Sequence, residues 1–371
     1  DLFARFSEQT GIQVEIEHVV WDQIDAKLVI TNTAGAPAAD LFWCSSQKLA
    51  SLVNAGALRG LDDKIAADLN AADFTDLMWS AVTYPGDGKK YMILASVHSR
   101  GLWYNTDLMP EAPKTWDELV TMGQAATNPD TNTFGFGFYG YNNYGAIEVG
   151  VAPFIWSAGG AIADDTGKAT WNTPEAAEAI QFLSDLINVH KIAPESCYTS
   201  EFTEIQEAFK AGQIASFVTG TYAVSDLMQS ELGMAGKIKF APIPGKDGPA
   251  PNFSNGWSMG IPSMTSDEQA DLAWQLIKFM CDPAIQAEHS VIEGGLPTTL
   301  ASYASEAFQV EPFPSFLDNL PNGRSMDPVL HYQEELQAAI VAVNTYFYDP
   351  SQNLQDLLDN SVNEFNAQFG Y

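Results

Sequence analysis

Five histidines, three cysteines and 47 acidic side chains are the groups in this 371-residue chain that could do chemistry, so their spacing is the first thing to read. His18, His98, His190, His289 and His331 are scattered and never form HxxH or HExxH, the spacings that put two imidazoles on one helix face around a zinc ion. Each reads as a surface or packing residue. Cys44, Cys197 and Cys281 are odd in number and lack CxxC or Cys/His spacing, which argues against a disulfide framework or structural zinc site and leaves one Cys pair open. There is no Walker-type glycine loop and no GxGxxG opening a helix. The glycines of Phe134-Gly135-Phe136-Gly137-Phe138 are bracketed by aromatics, as in a tight strand. A glycosidase needs two carboxylates facing each other, and sequence spacing does not reveal such a pair among so many acids. Glycoside hydrolysis therefore stays as the rival enzymatic reading. Otherwise no catalytic residue, cofactor or metal is expected.

The remaining chemistry is aromatic: nine Trp, thirteen Tyr and twenty-one Phe, many beside glycines, prolines and small polar residues and not in clean helical stripes. Sugars present apolar C–H faces and a rim of hydroxyls, and a site for them combines stacking rings with Asp, Asn, Gln and Ser hydrogen-bonding groups. Trp43, Trp156, Tyr222 and Trp257 stand in such turn contexts, where each is either a stacking ring or ordinary core.

The length predicts two or more cores at roughly 100–200 residues per domain. Apolar residues make up 46% and charged residues 17%, enough for packed interiors. A formal charge of -30, from 17 basic against 47 acidic residues, disfavours phosphate backbones and anionic lipid surfaces and reads as solubility in an extracellular or salty medium. Nucleic acid is not an expected partner, and no run reaches the roughly 20 apolar residues of a membrane span.

The elements alternate. Leu2, Phe3 and Phe6 mark a helix ending at Thr10-Gly11, and Ile12, Val14 and Ile16 predict a strand. Trp21, Ile24 and Leu28 predict a second helix, the turn Gly35-Ala36-Pro37 follows, and Leu41-Phe42 predict another strand. A helix carrying Leu49, Leu52 and Val53 and strands at 91–94 and 102–104 complete the pattern of a doubly wound α/β lobe. Thr115 with Glu118, and Ser266 with Gln269, form capping boxes, and Thr173-Pro174 starts another helix. Leu354, Leu358, Phe365 and Phe369 share a face of a last helix.

Several segments, in order, carry a resemblance: Phe6 to Ile12, Ala39-Asp40-Leu41-Phe42, Leu52 to Leu58, Tyr104 to Leu108 with Pro113 to Leu119, Ser157 to Gly160, Ala208 to Gly212, Thr219 to Tyr222, Pro242 to Gly245, Gly256 to Pro262, and Gly294 to Pro297. Over nearly its whole length the chain resembles the extracellular solute-binding proteins of ABC importers, family 1, the maltose and multiple-sugar type. The resemblance implies a two-lobed α/β periplasmic-binding-protein fold of type II, with a ligand cleft between lobes and hinge crossings near 105–107, 254–261 and 297–312. It assigns residues 1–104 and 262–310 to one lobe and 105–261 and 311–371 to the other. It implies a non-enzymatic, monomeric receptor that closes on a small-molecule carbohydrate and delivers it to the permease subunits. The place implied is periplasmic or extracellular, free or anchored through an N-terminal leader. Family members usually open on a β-strand whose loop helps bind ligand, and this sequence opens inside the helix that should follow it.

Carried over by position, the resemblance puts Trp43 and Ser45 in the loop after Phe42, and His98 and Arg100 in the loop before Tyr104. Trp156 precedes the Gly159-Gly160 turn, Tyr222 stands where the family often has Trp, and Gly256 and Trp257 sit at the second crossing. Gly295 lies in the last loop of the first lobe, and Glu17 and His18 follow the first recognisable strand. An anionic sugar derivative, such as a phosphodiester or sulfonate gripped by Arg100, is the alternative ligand class.

Overall fold

The structure is a computed structural model and describes residues 2–19, 23–35, 39–141, 143–164, 166–324 and 330–371. Eight strands occur among them: β1 (Phe42–Ser45), β2 (Met92–Leu94), β3 (His98–Asn105), β4 (Ser216–Gly220), β5 (Ile238–Ala241), β6 (Asn252–Asn255), β7 (Trp257–Gly260) and β8 (Gly323–Arg324). The chain forms two compact units. Unit 1 is built chiefly from residues up to 98 and from 255–313, and unit 2 from 99–254, 314–324 and 331–371. The sequence placed these divisions after 104 and 261 instead. Ladder pairing moves them, because a strand's backbone groups are satisfied only by the sheet that accepts them. Thus β3 pairs with β4 and β5 of unit 2, whereas β7 pairs with β1 and β2 of unit 1.

In unit 1, β7 lies between β1 and β2 and runs antiparallel to both. The sheet is therefore antiparallel throughout, with a late strand at its centre, where alternation alone had suggested a parallel one. The predicted strand at Ile12, Val14 and Ile16 does not form: Ile16 is 60% exposed, and no described segment pairs with these residues. Alternation makes a strand only where a neighbour completes its hydrogen bonds. The second helix spans Ile24–Thr33 and buries Leu28, while Trp21 and Pro37 lie outside the described residues.

Helix starts follow their capping chemistry. Ser266 Oγ accepts from Gln269 N at 3.2 Å and opens Asp267–Met280, and Asp282 caps Pro283–Glu293 through Ala284 N at 2.9 Å and Ile285 N at 3.2 Å. That second helix ends on Gly294 at φ +76, a conformation glycine adopts freely. At the predicted box of Thr115, the hydroxyl accepts from Glu118 N at 3.2 Å, but Glu118 reaches Lys114 N at 2.7 Å and not the Thr115 amide.

Unit 2 has the strand order β4-β3-β6-β8, with β5 also on β3. Trp103 of β3 is fully buried, edge-on to Phe240 at 5.2 Å and Phe316 at 5.5 Å, and Trp116 stacks on Phe182 at 4.3 Å. The glycine-aromatic run at 134–138 meets the β4 region by isolated bridges, Phe134 to Ile214 and Gly137 to Phe217, and by a hydrogen bond from Ser216 Oγ to Gly135 O at 2.8 Å. A continuous helical run from Tyr144 to Ser157 contains a π-turn at Ile147–Val151, buried throughout. The C-terminal helices Tyr332–Tyr348 and Leu354–Phe369 complete the unit. All three cysteines are free and buried, and among the described residues no helix is long and apolar enough to cross a membrane.

Candidate functional site

In unit 1, Trp43 and Ser45 fall on one face of β1, opposite Met259 and Trp257 of β7. Trp43 and Trp257 are the two residues of these strands that are only half-buried, and every other residue of β1 and β7 is buried. Ser45 is a hydrogen-bonding hub. Its hydroxyl donates to Gln47 Oε1 at 3.0 Å, and it accepts from Gln47 N at 3.3 Å and Asn255 Nδ2 at 3.5 Å. Gly256 fixes the approach of the two strands: its carbonyl accepts from Ser46 N at 3.0 Å, and a Cβ there would lie 1.8 Å from Ser96 O.

The helix ending at Gly294 delivers Glu293 beside two imidazoles. His98 Nε2 lies 3.2 Å from Glu293 Oε1, and His289 Nδ1 lies 3.4 Å from Oε2 without hydrogen-bond geometry. The His289 ring in turn tilts against Trp43 with centroids 5.2 Å apart. Burial pushes the Glu293 carboxyl upward, but the hydrogen bond and charge of His98, the charge of His289 and the Ser96 hydroxyl outweigh it and hold it below the usual range. Burial lowers His289 against the pull of Glu293. The missing side chain of Gly295 leaves room for His98, whose Cε1 would stand 3.2 Å from a Cβ at that position. Gln286, fully buried, holds this loop: its Oε1 accepts from Thr298 N at 2.9 Å and Thr299 N at 2.8 Å.

In unit 2, Arg100 lies opposite Gly220 in the β3–β4 register and is 6% exposed. Its guanidinium carbon stands 4.6 Å from the centroid of Phe253 and 5.5 Å from that of Tyr222, an aromatic cage for a cation. Gly220 makes room for this, since its Cβ would fall 2.2 Å from the Tyr222 ring. Tyr222 accepts from Thr219 Oγ1 at 3.3 Å and packs edge-on to Phe202 at 5.8 Å, which meets Tyr139 at 6.0 Å. Tyr332 donates to Glu148 on the π-turn. Burial and the charge of Glu148 push Tyr332 well up, and the charge of Arg100 pulls the other way. Trp156 lies on the same helical run and is covered by Arg324, 4.9 Å above its ring.

The structure thus gathers Trp43, Ser45, His98, Gly256, Trp257 and Gly295 within unit 1, and Arg100 with Tyr222 within unit 2. Glu17 and His18 are exposed, and Glu17 pairs with Lys27 at 2.5 Å. Among the described residues no hydrogen bond or ring contact joins either to the unit 1 group. His98, a candidate ligand contact, and His289, read as a surface or packing residue, are brought together by Glu293. Among the described residues no three His, Cys, Asp or Glu side chains are placed to hold a metal. Glu293, His289, Asn255, Glu148, Phe253 and Tyr332 were not singled out from sequence. Two had signals: Glu148 is the lone charge in the apolar run 146–152, and Glu293 immediately precedes the glycine pair.

The family described as bacterial extracellular solute-binding protein matches residues 1–313. A protein of Brucella abortus named as a binding protein is 25% identical over 300 residues, covering 78% of this chain and 70% of its own. Among solved structures, maltose-bound MalE3 of T. maritima superposes with a TM-score of 0.86 at 25% identity, over 99% of this chain and 95% of that one. A solute-binding protein of Agrobacterium radiobacter K84 in complex with ribitol gives 0.82 at 21% identity, over 98% and 93%.

Proposed function

Because the chain belongs to the bacterial extracellular solute-binding proteins, a family of binders and not of enzymes, we propose that its solute is a neutral sugar or sugar alcohol, handed on to the transmembrane subunits of an ABC importer. The observation that carries this reading is the half-buried pair Trp43 and Trp257 flanking Ser45 on one face of an otherwise buried strand pair. Rings that keep one side open, beside a neutral hydroxyl and the amides of Gln47 and Asn255, suit the C–H faces and hydroxyl rims of a carbohydrate. Maltose, carried by the relative at 25% identity, is of that class.

Within unit 1 the candidate contacts are Trp43, Ser45, His98, Trp257 and the loop at Gly295, and within unit 2 they are Arg100, Tyr222 and Trp156. A neutral solute suits the unit 1 group better than an anion, because the open rings stand beside the neutral groups of Ser45, Gln47 and Asn255 and close to the Glu293 carboxylate. Isothermal calorimetry against maltose, ribitol, a wider set of neutral sugars and polyols, and phosphorylated and sulfonated sugars tests the reading. Binding confined to neutral members supports it. Silence toward every neutral member defeats it, and binding confined to the anions replaces it with the anionic class.

A further inference from the structure

Both backbone polar groups of Arg100, its N–H and its carbonyl, are held by side chains far from it in sequence. Asn252 Oδ1 accepts from Arg100 N at 3.3 Å, and Asn319 Nδ2 donates to Arg100 O at 2.7 Å. The same two amides are tied to each other and to the neighbouring hydroxyls. Asn252 Nδ2 donates to Asn319 O at 3.2 Å, Ser99 Oγ and Ser254 Oγ donate to Asn252 Oδ1 at 2.9 Å and 2.8 Å, and Asn319 Nδ2 also donates to Ser99 Oγ at 3.1 Å. All four side chains, Ser99, Asn252, Ser254 and Asn319, are 0% exposed. A carboxamide offers one acceptor and one donor group in the geometry of a peptide, so this pair does for Arg100 what a neighbouring strand would do. Burying these amides is unfavourable unless they are bonded. Asn319 Oδ1 takes no partner among the described residues, a cost that a leucine of similar size would not carry. Its two donated bonds are what an asparagine supplies there and a leucine could not.

We propose that Asn252 and Asn319 are positioning residues for ligand binding: they lock the backbone of Arg100 so that its guanidinium stays between Phe253 and Tyr222. This rests on the reading of Arg100 as a ligand contact. The lock acts within unit 2 and touches no solute itself.

The test is a double-mutant cycle of Asn319→Leu with Arg100→Lys, reading maltose and ribitol affinity by calorimetry, melting temperature, and the buried Arg100 Nε–H signal by NMR. The expected result is a loss of about tenfold in affinity for Asn319→Leu alone, the size of one lost hydrogen bond to a placed group, and a clearly smaller loss in the Arg100→Lys background. The Arg100 Nε–H signal should shift and exchange faster with solvent in Asn319→Leu, whichever probe binds. An unchanged Nε–H signal, or equal affinity losses in both backgrounds, overturns the proposal. If Arg100→Lys binds both probes as the parent does while the signal still shifts in Asn319→Leu, the lock stands and the assignment of Arg100 to the solute fails. Should Asn319→Leu not fold, Ser99→Ala removes a single hydroxyl from the same lock and is read in the same cycle, with a loss of about threefold expected.

Discussion

Two glutamates, one in each unit, show how differently this molecule treats buried charge. Glu293 of unit 1 sits between His98 and His289, and its carboxyl is held below the usual range despite burial. Glu335 of unit 2 is 2% exposed, has a carboxyl oxygen with no hydrogen-bond partner among the described residues, and is pushed up to about 8 by burial and then by Asp164. Burial is common to both; the presence of a cation decides the sign. The candidate contacts follow the same contrast. Unit 1 surrounds its tryptophans with imidazole, carboxylate and neutral hydrogen-bonding groups, whereas unit 2 fixes a permanent cation between the rings of Phe253 and Tyr222. Proton-linked behaviour should therefore divide between the units by partner and not by depth.

The sharpest way to break that comparison is Glu335→Gln. Because the folded value lies above the unfolded one, the stability this carboxyl permits is fully present below about pH 4.5 and is lost as pH rises through about 8. The substitution should flatten that decline and raise stability above pH 8 by at most about 5 kcal/mol. Melting curves from pH 4 to 9 check it, and parallel pH profiles for both proteins would mean Glu335 is ionised in the fold. Next comes Arg100→Met, which removes the caged cation. Solute affinity should fall by about 2–4 kcal/mol, with the stacking ring of Tyr222 left in place. Calorimetry with melting controls reads this, and undiminished binding would remove unit 2's charge from the site.

Glu293→Gln has the opposite sign to Glu335→Gln. Its stabilising contribution is present above the unfolded carboxylate value near 4.5 and is lost as pH falls through the lower folded value, so the variant should lose about 1–2 kcal/mol at neutral pH and show a flatter acid limb. An acid limb as steep as the parent's would show that the two imidazoles do not stabilise this carboxylate. Smallest is Trp257→Ala, expected to weaken sugar binding by about 1 kcal/mol or more, as Tyr222→Ala should on the other unit. If both variants bind as the parent does, the stacking surfaces lie elsewhere.

Much of this was legible along the chain because it is local. Ser266 and Thr173 cap helices through amides three residues away, and Trp43, Tyr222 and Trp257 stand out as candidate rings, although Trp43 and Trp257 lie in strands β1 and β7 and not in turns. The ordered segments, quoted from Phe6 to Pro297, identified the family without any coordinate. The strand expected at Ile12 to Ile16 failed for a different reason: alternation cannot say whether a partner strand is there. The unit boundaries shifted because β3 and β7 are assigned by their ladders and not by their neighbours in sequence.

By itself, then, the sequence determined the acidic α/β character, the helix starts, the family and the aromatic inventory, all set by composition or by contacts a few residues apart. Tertiary structure alone decided that Glu293 would meet His98, 195 residues away, and that Asn252 and Asn319 would bracket Arg100 across 152 and 219 residues. Hydrogen bonds and ion pairs act over a few ångströms. Which residues come that close is settled only when the sheets pair and the cores pack.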